Sequence, residues 1–255
     1  ERMAQTLASI YDLQHDPKLH EQMTFESPSS GEPVALSYII PETQDDLMRR
    51  RKALEIVAHA SYGMLGRAPD YVNIQVTAAR QMAKVYGDND GRFSDNIIAY
   101  HEYIRENDVC LTHTFGHPQV NRELAVTELS DPYIALGVVD TTSEGLIVSG
   151  SKLLATLAPF SDEIFAPIYR PLPPNDPNSE KYAIGFALPV ATPGLKFICR
   201  ESYDLGRSLY DYPLSGQFDE MDALAVFDNV LIPWDRVFAH GDVELGNLNL
   251  GRVAL

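Results

Sequence analysis

The stretch DPYIALGVVDTTSEGLIVSG, residues 131–150, marks a change of pattern along the chain. Its apolar and β-branched residues fall into two short runs, Ile134 to Val139 and Leu146 to Val148, bounded by turn-forming residues. Such runs read as strands. The pattern recurs downstream at Ile164 to Ile168, Tyr182 to Leu188, Leu195 to Cys199 and Leu224 to Ile232, which predicts an antiparallel sheet domain. Between two of these runs, Arg170 to Ser179 (RPLPPNDPNS) is too rich in proline for a core strand and reads as a long exposed loop.

Upstream the period changes from two to between three and four. Met3, Leu7, Ile10 and Tyr11 make one helical stripe, and Leu47, Leu54, Val57 and Ala58 make another behind the T-x-x-D cap signal that Thr43 opens. A turn-rich stretch, Ser27 to Gly31, and an extended run, Val34 to Ile40, separate them, and Gly63 and Gly66 end the second. Pro69 suits the first turn of a third helix with Ile74, Ala78, Met82 and Val85 on one face, broken by Gly87 to Gly91. Ser94 then caps a fourth helix through Ile97, Ile98 and Ile104. Helices followed by strands predict an α+β chain in two regions, a helical domain over 1–125 and a β domain over 126–255.

Composition is that of a globular protein, 45% hydrophobic and 22% charged over 255 residues. Twenty Lys and Arg stand against 36 Asp and Glu, a formal charge of −16, and such a field repels phosphate backbones and anionic lipid. Nucleic acid and membrane are therefore not expected partners, and no run approaches the roughly 18 apolar residues of a membrane span. Cys110 and Cys199, the only two cysteines, are too few for a disulfide framework or a clustered metal site, which fits a reducing cytoplasm. The start, Glu1-Arg2-Met3, is neither a signal peptide nor an obvious initiator, so the native beginning is expected to lie upstream.

Three motif-like stretches fail on inspection. Gly145 to Lys152 (GLIVSGSK) approaches a phosphate-binding loop, but Ser and Lys are in the wrong order and the residues between are strand-like. Asp88-Asn89-Asp90-Gly91 starts like a calcium loop, yet its twelfth position is Ala99 where a bidentate Glu is required. His113 and His117 have helical metal-pair spacing, but Gly116 and Pro118 argue against a regular helix there.

Three blocks are more specific: SYGMLGRAPDY at 61–71; Arg105 to Arg122, which includes LTHT at 111–114 and PQVNR at 118–122; and YDYPLS at 210–215, leading to Phe218-Asp219-Glu220. With Gly145 to Thr156 and DNVLIPW at 228–234, they resemble the oxygenase component of the 4-hydroxyphenylacetate 3-monooxygenase family, the two-component flavin monooxygenases. The likeness runs through nearly the whole chain. It implies an acyl-CoA-dehydrogenase-like fold, with an N-terminal helical domain, a middle antiparallel β domain and a C-terminal helical bundle, the last expected to be absent from these 255 residues. It also implies a homotetramer, a separate flavin reductase, dioxygen and a phenolic substrate, with FAD as reduced co-substrate. Residue by residue, it puts catalytic and substrate-binding roles on Arg67, Tyr71 and His113. Flavin contacts fall on His113, Thr114, Phe115, Gln119, Val120, Asn121, Arg122 and Thr156.

The chemistry of these residue types agrees with those roles. A phenol of pKa about 10 is only about one part in a thousand phenolate at pH 7, so binding it as phenolate takes roughly 4 kcal/mol of differential stabilisation. Arg67 would supply a fixed positive charge, and neutral His113 would accept the phenol proton. A nearby Arg also disfavours imidazolium, so the two roles are mutually consistent. Three other readings stand beside this one: 4-hydroxybutyryl-CoA dehydratase, an acyl-CoA-dehydrogenase-type flavoenzyme, and a non-catalytic binding or assembly module. The first needs several closely spaced thiolates for its iron–sulfur cluster, and Cys110 and Cys199 are far apart in sequence.

Overall fold

The computed structural model describes residues 1–168 and 171–248. In chain order its helices and strands are α1 (Arg2–Asp12), α2 (His20–Met23), β1 (Thr24–Glu26), β2 (Pro33–Ala35), α3 (Gln44–Ala60), α4 (Pro69–Gln81), α5 (Ala83–Tyr86), α6 (Gly91–Glu106), β3 (Leu111–His113), β4 (Gly137–Thr141), β5 (Gly145–Thr156), β6 (Glu163–Ala166), β7 (Ile184–Pro189), β8 (Leu195–Cys199), β9 (Asp222–Pro233), β10 (Val237–His240) and α7 (Val243–Asn247). Two compact units interleave along the chain. The first combines Glu1–Gln81, His101–Cys110 and Arg200–Met221, and the second takes Met82–Tyr100, Leu111–Cys199 and the chain from Asp222 on.

In the first unit, α3 opens on the capping box that T-x-x-D predicts. The Thr43 hydroxyl accepts from the Asp46 N–H at 3.1 Å, and the Asp46 carboxylate accepts from the Thr43 N–H at 2.9 Å, an arrangement that contributes about 1 kcal/mol. Gly63, at φ +70°, closes the helix by donating its N–H to the Ala58 carbonyl at 2.7 Å. Ile10, Met23, Leu36, Ile39, Ala53, Val57, Leu65 and Ala68 form the core.

The helical period is as expected, but the inward faces are rotated. Of the stripe on α3 only Val57 is buried, while Leu47 and Leu54 are exposed, because Ala53 and Val57 carry the inward face. From α4 into α5 the buried apolar positions are Val72, Val76, Ala79, Ala83 and Tyr86, not the face of Ile74, Ala78, Met82 and Val85. The single third helix is also interrupted, at Met82 (φ −96°, ψ 15°). α6 begins at Gly91, ahead of Ser94, and Asp90 caps it by accepting the Arg92 N–H at 3.0 Å.

The second unit holds two four-stranded sheets, ordered β10-β7-β6-β3 and β4-β5-β9-β8. β5 and β9 run antiparallel from Gly145 opposite Pro233 to Thr156 opposite Asp222. Phe186 and Phe227 meet edge to face in the core, ring centroids 5.8 Å apart, among Leu146, Val148, Ile164, Ile184, Leu188, Val230 and Ile232. The expectation of a purely antiparallel domain needs correction, since β3 pairs parallel to β6, Leu111 opposite Glu163 and His113 opposite Phe165. A three-residue strand is too short to leave a periodicity signal.

The glycines of the false phosphate loop serve close backbone packing. A Cβ on Gly145 would lie 1.9 Å from the Ile232 carbonyl oxygen, and one on Gly150, at φ +122°, would lie 2.2 Å from that of Ala135. The proline-rich loop is anchored where its sequence reads as exposed. Leu172 is buried, and both its backbone groups bond to the Asn247 side chain, N–H to Oδ1 at 2.7 Å and C=O from Nδ2 at 2.9 Å. Arg170, at its start, lies outside the described residues.

Candidate active site

Arg67 sits in the turn that precedes α4 and Tyr71 in the helix's first turn, as Pro69 predicts. The Arg67 guanidinium lies over the Tyr71 ring, 5.3 Å from its centroid, a contact that holds a cation beside a phenol group. The Arg67 backbone is fixed as well. Its N–H donates to Glu220 Oε1 at 2.6 Å.

Glu220 belongs to the Phe218-Asp219-Glu220 block, which sequence reading singles out without giving a role. Arg200 explains how this block is held. Its Nη2 donates to Asp219 Oδ1 and to the Glu220 carbonyl, both at 2.5 Å, and its Nη1 donates to the Glu201 carbonyl at 2.7 Å. The buried Asp219 carboxylate also accepts from Ser202 Oγ at 2.9 Å and from the Tyr203 N–H at 2.7 Å. Burial works to raise this carboxyl's pKa, but those hydrogen bonds and the Arg200 charge outweigh it and hold the group below its ordinary range. Its ionised form is thereby locked in place. The first unit thus presents an arginine and a tyrosine on a turn braced by an acidic segment distant in sequence.

In the second unit, His113 ends β3 and is buried. Its imidazole stacks on the Phe115 ring, centroids 4.3 Å apart at 31°. The chain beyond is pinned by backbone bonds: Thr114 N–H to the Phe165 carbonyl at 3.0 Å, Phe115 N–H and Gly116 N–H to that of Leu153 at 3.2 and 2.7 Å, and Leu153 N–H back to Gly116 at 2.7 Å. The Thr114 hydroxyl is buried and has no hydrogen-bond partner among the described residues, so it is able to bond a ligand. Thr156, at the end of β5, is buried; its hydroxyl donates to Asp222 at 2.8 Å, and its carbonyl accepts from the Thr112 hydroxyl at 2.6 Å.

Gln119, Val120, Asn121 and Arg122 follow as an exposed segment. Among the described residues Arg122 forms no ion pair with its neighbour Glu123. With His117, Val126, Leu129 and the loop residues Pro171, Leu172 and Pro173, the polar side chains Gln119, Asn121 and Arg122 line a cavity of about 310 Å³. Amide and guanidinium donors beside apolar residues in one lining suit a ligand with a polyhydroxyl or pyrophosphate part. This donor set and the unpartnered Thr114 hydroxyl fit FAD. The structure therefore gathers the sequence-predicted residues into two groups, Arg67 with Tyr71 in the first unit and His113 to Arg122 with Thr156 in the second.

Sequence reading gave no role to Asp219 and Glu220, which hold the segment that bonds the Arg67 N–H. The buried Lys152 appeared there only as the misplaced lysine of a false phosphate loop.

Residues 1–239 match the family model described as 4-hydroxyphenylacetate 3-hydroxylase N terminal. The 4-hydroxyphenylacetate 3-monooxygenase oxygenase component of Thermus thermophilus is 43% identical over 245 residues, covering 96% of this chain and 49% of the relative. The chain thus spans about half the length of the curated relatives it matches. A crystal structure of that kind of oxygenase component, complexed with FAD and 4-hydroxyphenylacetate, superposes with a TM-score of 0.88 at 43% identity, over 96% of this chain and 49% of the other. A glutaryl-coenzyme A dehydrogenase complex superposes with a TM-score of 0.54 at 14% identity, over 100% of this chain and 61% of the other. That second likeness concerns the fold alone.

Proposed function

The chain belongs to the 4-hydroxyphenylacetate 3-hydroxylase family, and from that premise we propose that it is the N-terminal part of the oxygenase component of a two-component monooxygenase. It hydroxylates a phenol of the 4-hydroxyphenylacetate kind ortho to its oxygen, giving a catechol. Reduced FAD from a separate reductase would supply the two electrons that activate dioxygen, of which one oxygen atom would enter the ring and the other leave as water. In this reading the protein is a cytoplasmic homotetramer, and a C-terminal helical bundle completes the fold after the helical region 1–125 and the β region 126–255.

The chain's own residues then have defined work. Arg67 holds the phenolate charge, and Tyr71, under the guanidinium, orients the ring. An imidazole nitrogen of His113 takes the phenol proton, so the substrate reacts as its electron-rich anion. Thr114, Phe115, Thr156 and the segment from Gln119 to Arg122 hold the flavin and keep water from it. The observation that carries this reading is the cavity lined by Gln119, Asn121 and Arg122, in the segment where the family's flavin contacts fall.

Titration of FAD into the protein, at the full length its gene encodes, tests it through flavin fluorescence and absorbance. Asn121→Ala and Arg122→Ala should each raise the FAD dissociation constant several-fold. Unchanged affinity in both would detach this segment from the flavin.

A further inference from the structure

Lys152 sits near the middle of β5 and is 3% exposed. Its Nζ donates to the Phe115 carbonyl at 3.2 Å and to the Pro167 carbonyl at 3.3 Å, and among the described residues no carboxylate pairs with it. Burial alone pushes its pKa down to about 7. A buried lysine without a counter-charge is costly, and a methionine of similar length would fill the same space at no such cost. Something other than stability is served by keeping it.

What it joins indicates what that is. Phe115 lies just beyond β3 on the segment that continues to Gln119 and Arg122, and Pro167 lies just beyond β6 on the segment that continues to Pro171, Leu172 and Pro173. Residues of both continuations line the 310 Å³ cavity. β3 and β6 are parallel neighbours, so their chains leave the sheet side by side, with one backbone bond at the exit, from the Thr114 N–H to the Phe165 carbonyl at 3.0 Å. Lys152 ties them. A neutral amine has two N–H donors and an ammonium three, so either form can serve both carbonyls.

We propose that Lys152 is a positioning residue that clamps the two segments walling the flavin cavity at a fixed separation. The role rests on the reading of Gln119 to Arg122 as flavin contacts. It is served through the Phe115 and Pro167 carbonyls, without contact to the reacting atoms.

The test compares wild type with Lys152→Met in the full-length protein by three readouts: thermal midpoint, FAD dissociation constant, and hydrogen exchange of the flavin-free protein. The variant should melt at or above the wild-type temperature, since a buried charge has been removed. It should bind FAD about tenfold more weakly, the loss of two hydrogen bonds that order the site. Amides of residues 115–117 and 172 should exchange faster, with those of β5 and β9 unchanged. Wild-type FAD affinity in Lys152→Met would overturn the proposal. A lower melting point with faster exchange throughout the unit would overturn it too, by making Lys152 a general structural residue. If wild type itself ignores FAD while local exchange still rises in the variant, the clamp stands and the flavin reading fails. If exchange is unchanged there, the clamp fails on its own.

Discussion

Replacing Asp219 by alanine should both destabilise the first unit and weaken substrate binding. The carboxylate accepts from Arg200 at 2.5 Å, from the Tyr203 N–H at 2.7 Å and from Ser202 at 2.9 Å, with its own side chain fully buried and that of Arg200 26% exposed. Breaking one side of a buried ion pair costs about 3–5 kcal/mol. Arg200 keeps the carbonyls of Glu201 and Glu220 and has partial access to water, which puts the loss near the low end, about 3 kcal/mol. At a urea slope of about 3 kcal/mol/M this shifts the denaturation midpoint down by about 1 M. Asp219→Asn keeps an acceptor and should lose about half as much. Because Glu220 holds the Arg67 N–H at 2.6 Å, the same variant should raise the phenol dissociation constant about tenfold under conditions where it is folded, as read by equilibrium binding. A midpoint within about 0.2 M of wild type, or unchanged phenol affinity, would refute the argument that this segment braces Arg67.

Asp70→Asn should change stability in a pH-dependent way. Burial raises the Asp70 pKa from 3.8 to about 6 against the opposing pull of a backbone N–H and Arg50, so the stability this group contributes is present below pH 4 and lost as pH rises through 6. The variant should therefore be about 1–3 kcal/mol more stable than wild type at pH 8 and equal to it near pH 3.5 by denaturant titration; a constant difference would mean Asp70 is not the titrating group. Gly150→Ala, which drives a Cβ to 2.2 Å from the Ala135 carbonyl at φ +122°, should cost about 3 kcal/mol or more, and a wild-type melting curve would contradict the close approach. His113→Ala should lower catechol formed per reduced flavin while hydrogen peroxide release rises, and unchanged coupling would remove His113 from the chemistry.

Much of the β region was legible because its strands are apolar runs between turns. The run Leu195 to Cys199 is found at those bounds as β8, and Leu224 to Ile232 lies within β9. β5 is far longer than its readable core Leu146 to Val148, since Ser149, Ser151 and Lys152 interrupt the apolar pattern. Their polarity has a structural reason: Ser149 Oγ accepts from the Asn229 N–H at 3.0 Å, Ser151 donates to the Ile134 carbonyl at 2.6 Å, and Lys152 reaches its two carbonyls. In the helices the period was readable but the direction was not. Whether Ile74 or Val76 turns inward depends on packing partners distant in sequence, which periodicity does not encode. Within the site, Arg67 and Tyr71 were placed correctly at the start of α4 because Pro69 fixes where that helix begins. The brace from Glu220 was invisible because its contact to Arg67 spans 153 residues of sequence.

The central claim is tested most directly by rapid mixing. The full-length protein, preloaded with reduced FAD, is mixed with oxygenated buffer in the presence and absence of 4-hydroxyphenylacetate, while flavin absorbance is followed and the product is identified. The account predicts flavin oxidation kinetics that differ from those of free flavin and respond to the phenol, with catechol as product. Oxidation at the free-flavin rate with no catechol would contradict it and leave the family likeness as one of fold alone.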